Sequence, residues 1–267
     1  MDEQGKIYWH EPIFEGLTLV LDGNNLDFQS EIPLSEEALI VDALVTKADG
    51  VQVNNEIGHI FRGHNLFEFK SEKDSFSIYD YAKVIGYAGI YSSQKKIPMT
   101  DITISIMLTM FPRELVRFLE DERGIKVQDA GNGVYYIRGE SFDIQILESK
   151  KLSEENLLLR NLRSGLNAIE VRSTLLAYKE KKPIDNRSVY LGALIKANPI
   201  AFEEAYSMVT DETADIIIGA IEKSGRLEKW LIEDRKRTAK KMLSDGASIE
   251  KVADWLDLST EVVARLV

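Results

Sequence analysis

Asp42 and Glu68 each stand inside an apolar run, 26 positions apart. The first run is Ala38-Leu39-Ile40-Val41-Asp42-Ala43-Leu44-Val45; the second is Asn65-Leu66-Phe67-Glu68-Phe69-Lys70. Both read as buried strands, and a carboxylate inside a strand core is costly unless something compensates it. Glu68 and Lys70 are two residues apart, so both side chains leave one face of their strand. Two carboxylates and an ammonium converging on one point suit a hydrolytic metal site for phosphodiesters. The carboxylates hold a hard divalent cation, and the lysine positions or activates the attacking water.

The elements that must position these groups follow from the pattern. Residues 9–20 predict a helix, with Pro12 in its first turn and Glu11 and Glu15 on one face. Strands are expected within 17–33 (around Leu26–Gln29), at 38–47 and at 64–70. The stretch from Ser75 to Tyr91 has helical period and stacks Tyr79, Lys83, Tyr87 and Tyr91 on one stripe. Asp101–Met110 alternates as a strand. The predicted order is helix, strand, strand, strand, helix, strand. Residues 112–124 predict a helix closing at Gly124. Val134–Ile137 and Phe142–Glu148 predict two strands of an appended β element. From Leu152 onward the pattern is helical: about 153–164, 167–181, 186–206, 211–223, 226–244 and two short helices in 247–267. A domain boundary is expected at 150–153, giving units 1–150 and 151–267.

Bulk properties bound the function. The chain has 267 residues, no cysteine and no apolar stretch near the length of a membrane span. Its acidic, polar start, Met1-Asp2-Glu3-Gln4-Gly5-Lys6, predicts no signal peptide. A cytoplasmic location is the expectation. The chain carries 44 acidic and 33 basic side chains. Residues 151–267 hold 19 of each, so the whole surplus of 11 acidic groups falls on residues 1–150. An acidic first half is not the footprint of a strong duplex binder.

The Asp42 strand, the Glu68-Phe69-Lys70 strand, the helix before them and the helix after them resemble the PD-(D/E)XK nuclease superfamily. The resemblance covers roughly residues 9–110. It implies a restriction-endonuclease-like α/β core: a mixed central sheet flanked by helices, here with an all-helical C-terminal extension. It further implies Mg²⁺, or Mn²⁺, held by Asp42 and Glu68 with help from Glu11 or Glu15, and Lys70 as catalytic lysine. Lys83 and Tyr87 match a Gln-x-x-x-Tyr pattern with lysine in place of glutamine, and Val41 stands where a proline usually precedes the aspartate. More narrowly, the core plus helical extension is similar to the recombination-promoting nuclease and transposase-like group. The implied function is metal-dependent DNA phosphodiester hydrolysis connected with recombination or mobile DNA.

Other readings of the same residues predict different chemistry. Lys70 and Glu68 could form a buried ion pair with no metal, in a catalytically silent nuclease-fold protein that binds a protein partner. Glu11 and Glu15 could serve the helix dipole. Residues 248–266 read as a helix-turn-helix with Ser259 as N-cap. Thr260 and Glu261 stand where a base-reading helix needs basic or amide side chains, so a packing or oligomerising module is expected. The preceding helix carries Arg226, Lys229, Arg235, Lys236, Arg237, Lys240 and Lys241, the basis for a third reading as a DNA-binding regulator.

Overall fold

A computed structural model describes residues 9–33, 40–70, 75–181, 189–207, 227–256 and 258–266. The predicted helix at 211–223 lies outside them, as do Arg226 and Asp257. The first six elements come in the predicted order. They are α1 (His10–Val20), β1 (Leu26–Pro33), β2 (Ile40–Lys47), β3 (His64–Phe69), α2 (Ile78–Lys95) and β4 (Ile102–Leu108). Then come α3 (Arg113–Arg117), β5 (Lys126–Gly131), β6 (Val134–Arg138) and β7 (Asp143–Glu148). The helices α4 (Leu157–Arg160), α5 (Ala168–Lys181), α6 (Val189–Ala197) and α7 (Pro199–Ser207) follow, and then α8 (Leu227–Ser244), α9 (Ile249–Leu256) and α10 (Thr260–Ala264).

Seven strands form one mixed sheet in the order β1-β2-β3-β4-β7-β6-β5. β1, β2 and β3 are antiparallel neighbours; β3, β4 and β7 run parallel. The expected appended β element is instead part of this sheet: β7 docks beside β4, and the β5–β6 hairpin completes the far edge. The cause is hydrophobic. Ile144, Ile146 and Leu147 are fully buried, and β4 is buried along its whole length, as a two-sided central strand requires.

Strand alternation sorts the core onto two faces. Ala43, Val45, Phe67 and Phe69 pack with α1 and α4–α7; Leu44, Leu66, Ile104 and Ile106 pack with α2 and Leu115 of α3. The change from strands to helices near 150 is not a break in the core. Leu158, Leu159, Val171, Leu175, Tyr190 and Phe202 share one apolar cluster with Leu17 and Phe67. A smaller cluster joins Ala239, Val252, Ala253 and Val263. There Ser259 caps α10 as expected, its side chain accepting from Val262 N–H at 3.3 Å. No described helix is long and apolar enough to cross a membrane.

The segment between β2 and β3 has little regular structure of its own and is held by polar bonds. Glu56 accepts from Ser153 N–H, the Ser153 hydroxyl, Asn156 Nδ2 and Asn132 Nδ2, at 2.6–3.1 Å. Burial alone would raise its pKa, but these hydrogen bonds outweigh burial and lower it. A lowered acid contributes stability above its unfolded pKa, and that contribution is lost as pH falls through the folded value. Asn156 is fully buried, so Glu56→Ala strands a donor and is expected to cost about 1–3 kcal/mol. Chemical denaturation of both proteins should show the difference at neutral pH and see it shrink on acidification. A neutral-pH difference below about 0.5 kcal/mol would rule out this hub.

Candidate active site at the end of the sheet

The site forms where β2 begins and β3 ends. Ala43 pairs with Phe67 across the antiparallel ladder. One step further along that ladder, Asp42 comes abreast of Glu68, on the face of Leu44 and Leu66. Lys70 follows on the same face, with its N–H held by Met107 C=O at 3.0 Å. The α2 N-terminus is fixed there by a capping box: Asp80 N–H donates to Ser77 Oγ at 3.2 Å and Ser77 N–H to Asp80 Oδ2 at 2.8 Å. Tyr81, Val84, Tyr87, Ala88 and Tyr91 recur every three or four residues and bury α2 against the sheet. This anchoring sets Asp80 and Lys83 beside the strand ends.

The structure brings Asp42, Glu68, Lys70 and Lys83 together. Glu68 is 7% exposed. Its carboxyl pKa is raised, first by desolvation and next by the charge of Asp42, against the lowering charges of Lys70 and Lys83. Lys70 Nζ lies 3.4 Å from Glu68 Oε1 and 3.7 Å from Asp80 Oδ1. Asp80 is a neighbour that sequence reasoning missed. Burial alone would raise its carboxyl pKa, but the Ser77 bonds, with Lys70 and Lys83, outweigh this and lower it. Burial alone would lower the Lys83 pKa; its hydrogen bond to Tyr87 and the charges of Glu68 and Asp80 turn the net shift upward. Lys83 Nζ sits 5.1 Å from the centre of the Tyr87 ring. Tyr87 itself is buried beneath it.

Asp42 is held on both oxygens. Oδ2 accepts from Phe69 N–H at 2.8 Å, and Oδ1 lies 2.9 Å from His10 Nδ1. That bond raises the His10 pKa against desolvation, with the charges of Asp42, Glu68 and Glu31 acting in the same direction. Nothing along the chain signals this pairing, which needs the first turn of α1 laid across the end of β2. Glu11 is exposed and lines a small cavity with His10, Glu31 and Asp42.

Glu15 borders the same cavity, but its oxygens serve the helices. Oε1 accepts from the Tyr178 hydroxyl at 2.7 Å and Oε2 from Tyr190 N–H at 2.9 Å. The expected tyrosine stripe also divides. Tyr79 is 86% exposed, whereas Tyr91 is buried with its hydroxyl 2.9 Å from His64 Nδ1.

Among the described residues, no three His, Asp or Glu side chains cluster as a ready metal cage. The donor set here is two carboxylates. Two hard oxygen ligands suit Mg²⁺, which keeps several of its own waters. A desolvated carboxylate beside a second negative charge is also what a cation would relieve. Comparison with protein-family models, with curated proteins and with solved structures finds no match for this chain.

Proposed function

We propose that the chain is a metal-dependent nuclease of the PD-(D/E)XK type, hydrolysing DNA phosphodiester bonds. The observation that carries this reading is Glu68: a carboxylate buried beside Asp42, with Lys70 at 3.4 Å. As a stabilising device such an arrangement is poor, because desolvation opposes it. As a site for a cation and a phosphate it is well placed. The order helix, three antiparallel strands, crossover helix, parallel strand supports the same reading. So does the placement of both carboxylates at one end of the sheet.

Asp42 and Glu68 are the residues to hold Mg²⁺ or Mn²⁺, with Glu11 available at the rim. The bound cation supplies Lewis-acid polarisation of a phosphoryl oxygen and a water of lowered pKa. Lys70 offsets negative charge that grows on the phosphate in the transition state and orients the attacking water. Asp80 offers the Lys70 ammonium a second carboxylate, at 3.7 Å. Lys83 offers a second cation to a flanking phosphate, its ammonium lying over the Tyr87 ring at 5.1 Å.

Purified protein with plasmid DNA and Mg²⁺ or Mn²⁺ is expected to nick the plasmid. Asp42→Ala and Lys70→Ala should each slow nicking by at least about 10²-fold, since a single electrostatic donor in an active site is worth about that much. Equal nicking by all three proteins, or none by any, refutes the proposal. A second reading rests on Asp42, whose oxygens are both satisfied by His10 and Phe69 N–H. It makes the chain a silent nuclease fold, and the same assay separates the two.

A further inference from the structure

A second recess opens beside Lys70, outside the carboxylate pair. It is a cleft of about 710 Å³ at the ends of the parallel strands, the usual place for ligands in open α/β sheets. One wall is Phe111 against Tyr135, ring centroids 4.5 Å apart, with Met110 beside them, 69% exposed. The Tyr135 hydroxyl also belongs to a polar triad. Glu148, buried, accepts on Oε2 from the Tyr135 hydroxyl at 3.1 Å and from Lys151 Nζ at 2.8 Å. Gly133 lets these pieces meet. Its φ is +75°, its C=O accepts from Glu148 N–H at 2.7 Å, and a Cβ there would lie 2.6 Å from Glu148 C=O.

We propose that this cleft takes an unpaired nucleotide of a single DNA strand, next to the phosphate that Lys70 faces. The inference rests on the nuclease reading and adds the form of its substrate. Partly exposed Phe111 and exposed Met110, backed by the Tyr135 ring tilted 51° to Phe111, give an apolar wall for the face of a base. Glu148 offers a carboxylate oxygen and Lys151 its remaining ammonium hydrogens to the base edge. Lys151 and Arg113, both exposed, can meet a strand phosphate. A paired base inside a duplex cannot enter a recess of this kind without leaving its stack. The charge balance agrees: an acidic half-chain attracts a duplex backbone weakly, whereas stacking needs no field.

The test is fluorescence anisotropy on the full chain without divalent metal, using a short labelled oligothymidylate and a duplex of equal length as competitor. The single strand is expected to bind and the duplex to compete poorly. Phe111→Leu and Lys151→Met should each weaken binding about tenfold. Lys151 is exposed, so Lys151→Met keeps the test open if Phe111→Leu fails to fold. Wild-type affinity in Lys151→Met and Met110→Ala, an equally effective duplex, or no binding by wild type would overturn the cleft. Plasmid nicking with no single-strand binding defeats the cleft alone. Single-strand binding that obeys the variants, without metal-dependent cleavage, defeats the nuclease reading alone.

Discussion

Glu68→Gln is expected to raise the melting temperature of the metal-free protein by a few degrees while lowering metal-dependent cleavage by at least about 100-fold. The two effects have one cause. In the folded protein Glu68 is buried beside Asp42, so its charged form is penalised and its pKa lies above the ordinary value. An acid with a raised folded pKa binds its proton more tightly folded than unfolded. The folded state therefore loses relative stability as pH rises from the unfolded pKa through the folded one. Glutamine keeps the shape and an acceptor for Lys70 and removes that loss. A gain of roughly 1 kcal/mol is typical when a strained functional site is relaxed. At this chain length that is about 2–4 °C. On the proposed metal role of Glu68 the cleavage loss follows, because partners of metal ligands already cost 10–100-fold, and a ligand costs more. The stability gap should close at low pH, where wild type is protonated too. Thermal melts from acid to neutral pH, beside plasmid nicking, read both effects. A variant that melts lower than wild type at neutral pH would show that Glu68 is a structural ion-pair partner. One that cleaves normally would remove it from the site.

The second large effect is expected at Glu15→Ala, and it is structural. Glu15 holds the Tyr178 hydroxyl and Tyr190 N–H; both tyrosines are fully buried and stack at 5.4 Å. Truncation leaves two buried donors without this acceptor, at about 1–3 kcal/mol each. The loss of about 2–6 kcal/mol lowers the melting temperature by on the order of 10 °C. Nicking below the transition, per folded molecule, should stay at wild type. Glu15→Gln keeps one acceptor and should recover part of the loss. A double-mutant cycle with Tyr178→Phe should show coupling of at least about 0.5 kcal/mol, as for residues in direct contact. If Glu15→Ala folds as well as wild type but loses cleavage, Glu15 belongs to the metal site after all.

Much of this molecule was written locally. The strands of Asp42 and Glu68 were legible because a mostly apolar run admits a carboxylate only at a cost. The i, i+2 rule then put Glu68 and Lys70 on one face. Helix α2 announced itself through the helical period of Ser75 to Tyr91, while its capping box of Ser77 and Asp80 emerged from the structure. Strand β5 did not. Lys126–Gly131 is mostly exposed, an edge strand whose order comes from the hairpin bonds to β6 and from no apolar pattern of its own.

The sequence by itself determined which residues are costly to bury, and with them Asp42, Glu68 and Lys70 as candidates for a site. Only the tertiary structure decided their partners. His10 meets Asp42 because α1 is laid over the sheet end, and Asp80 meets Lys70 because α2 starts there. Glu15 turns to Tyr178 and Tyr190, more than 160 positions away. β7 inserts beside β4, which builds the second cleft. The reason is range: periodicity and capping act over a few residues along the chain. Which charge ends beside which is settled by how apolar faces pack, and that depends on the whole fold at once.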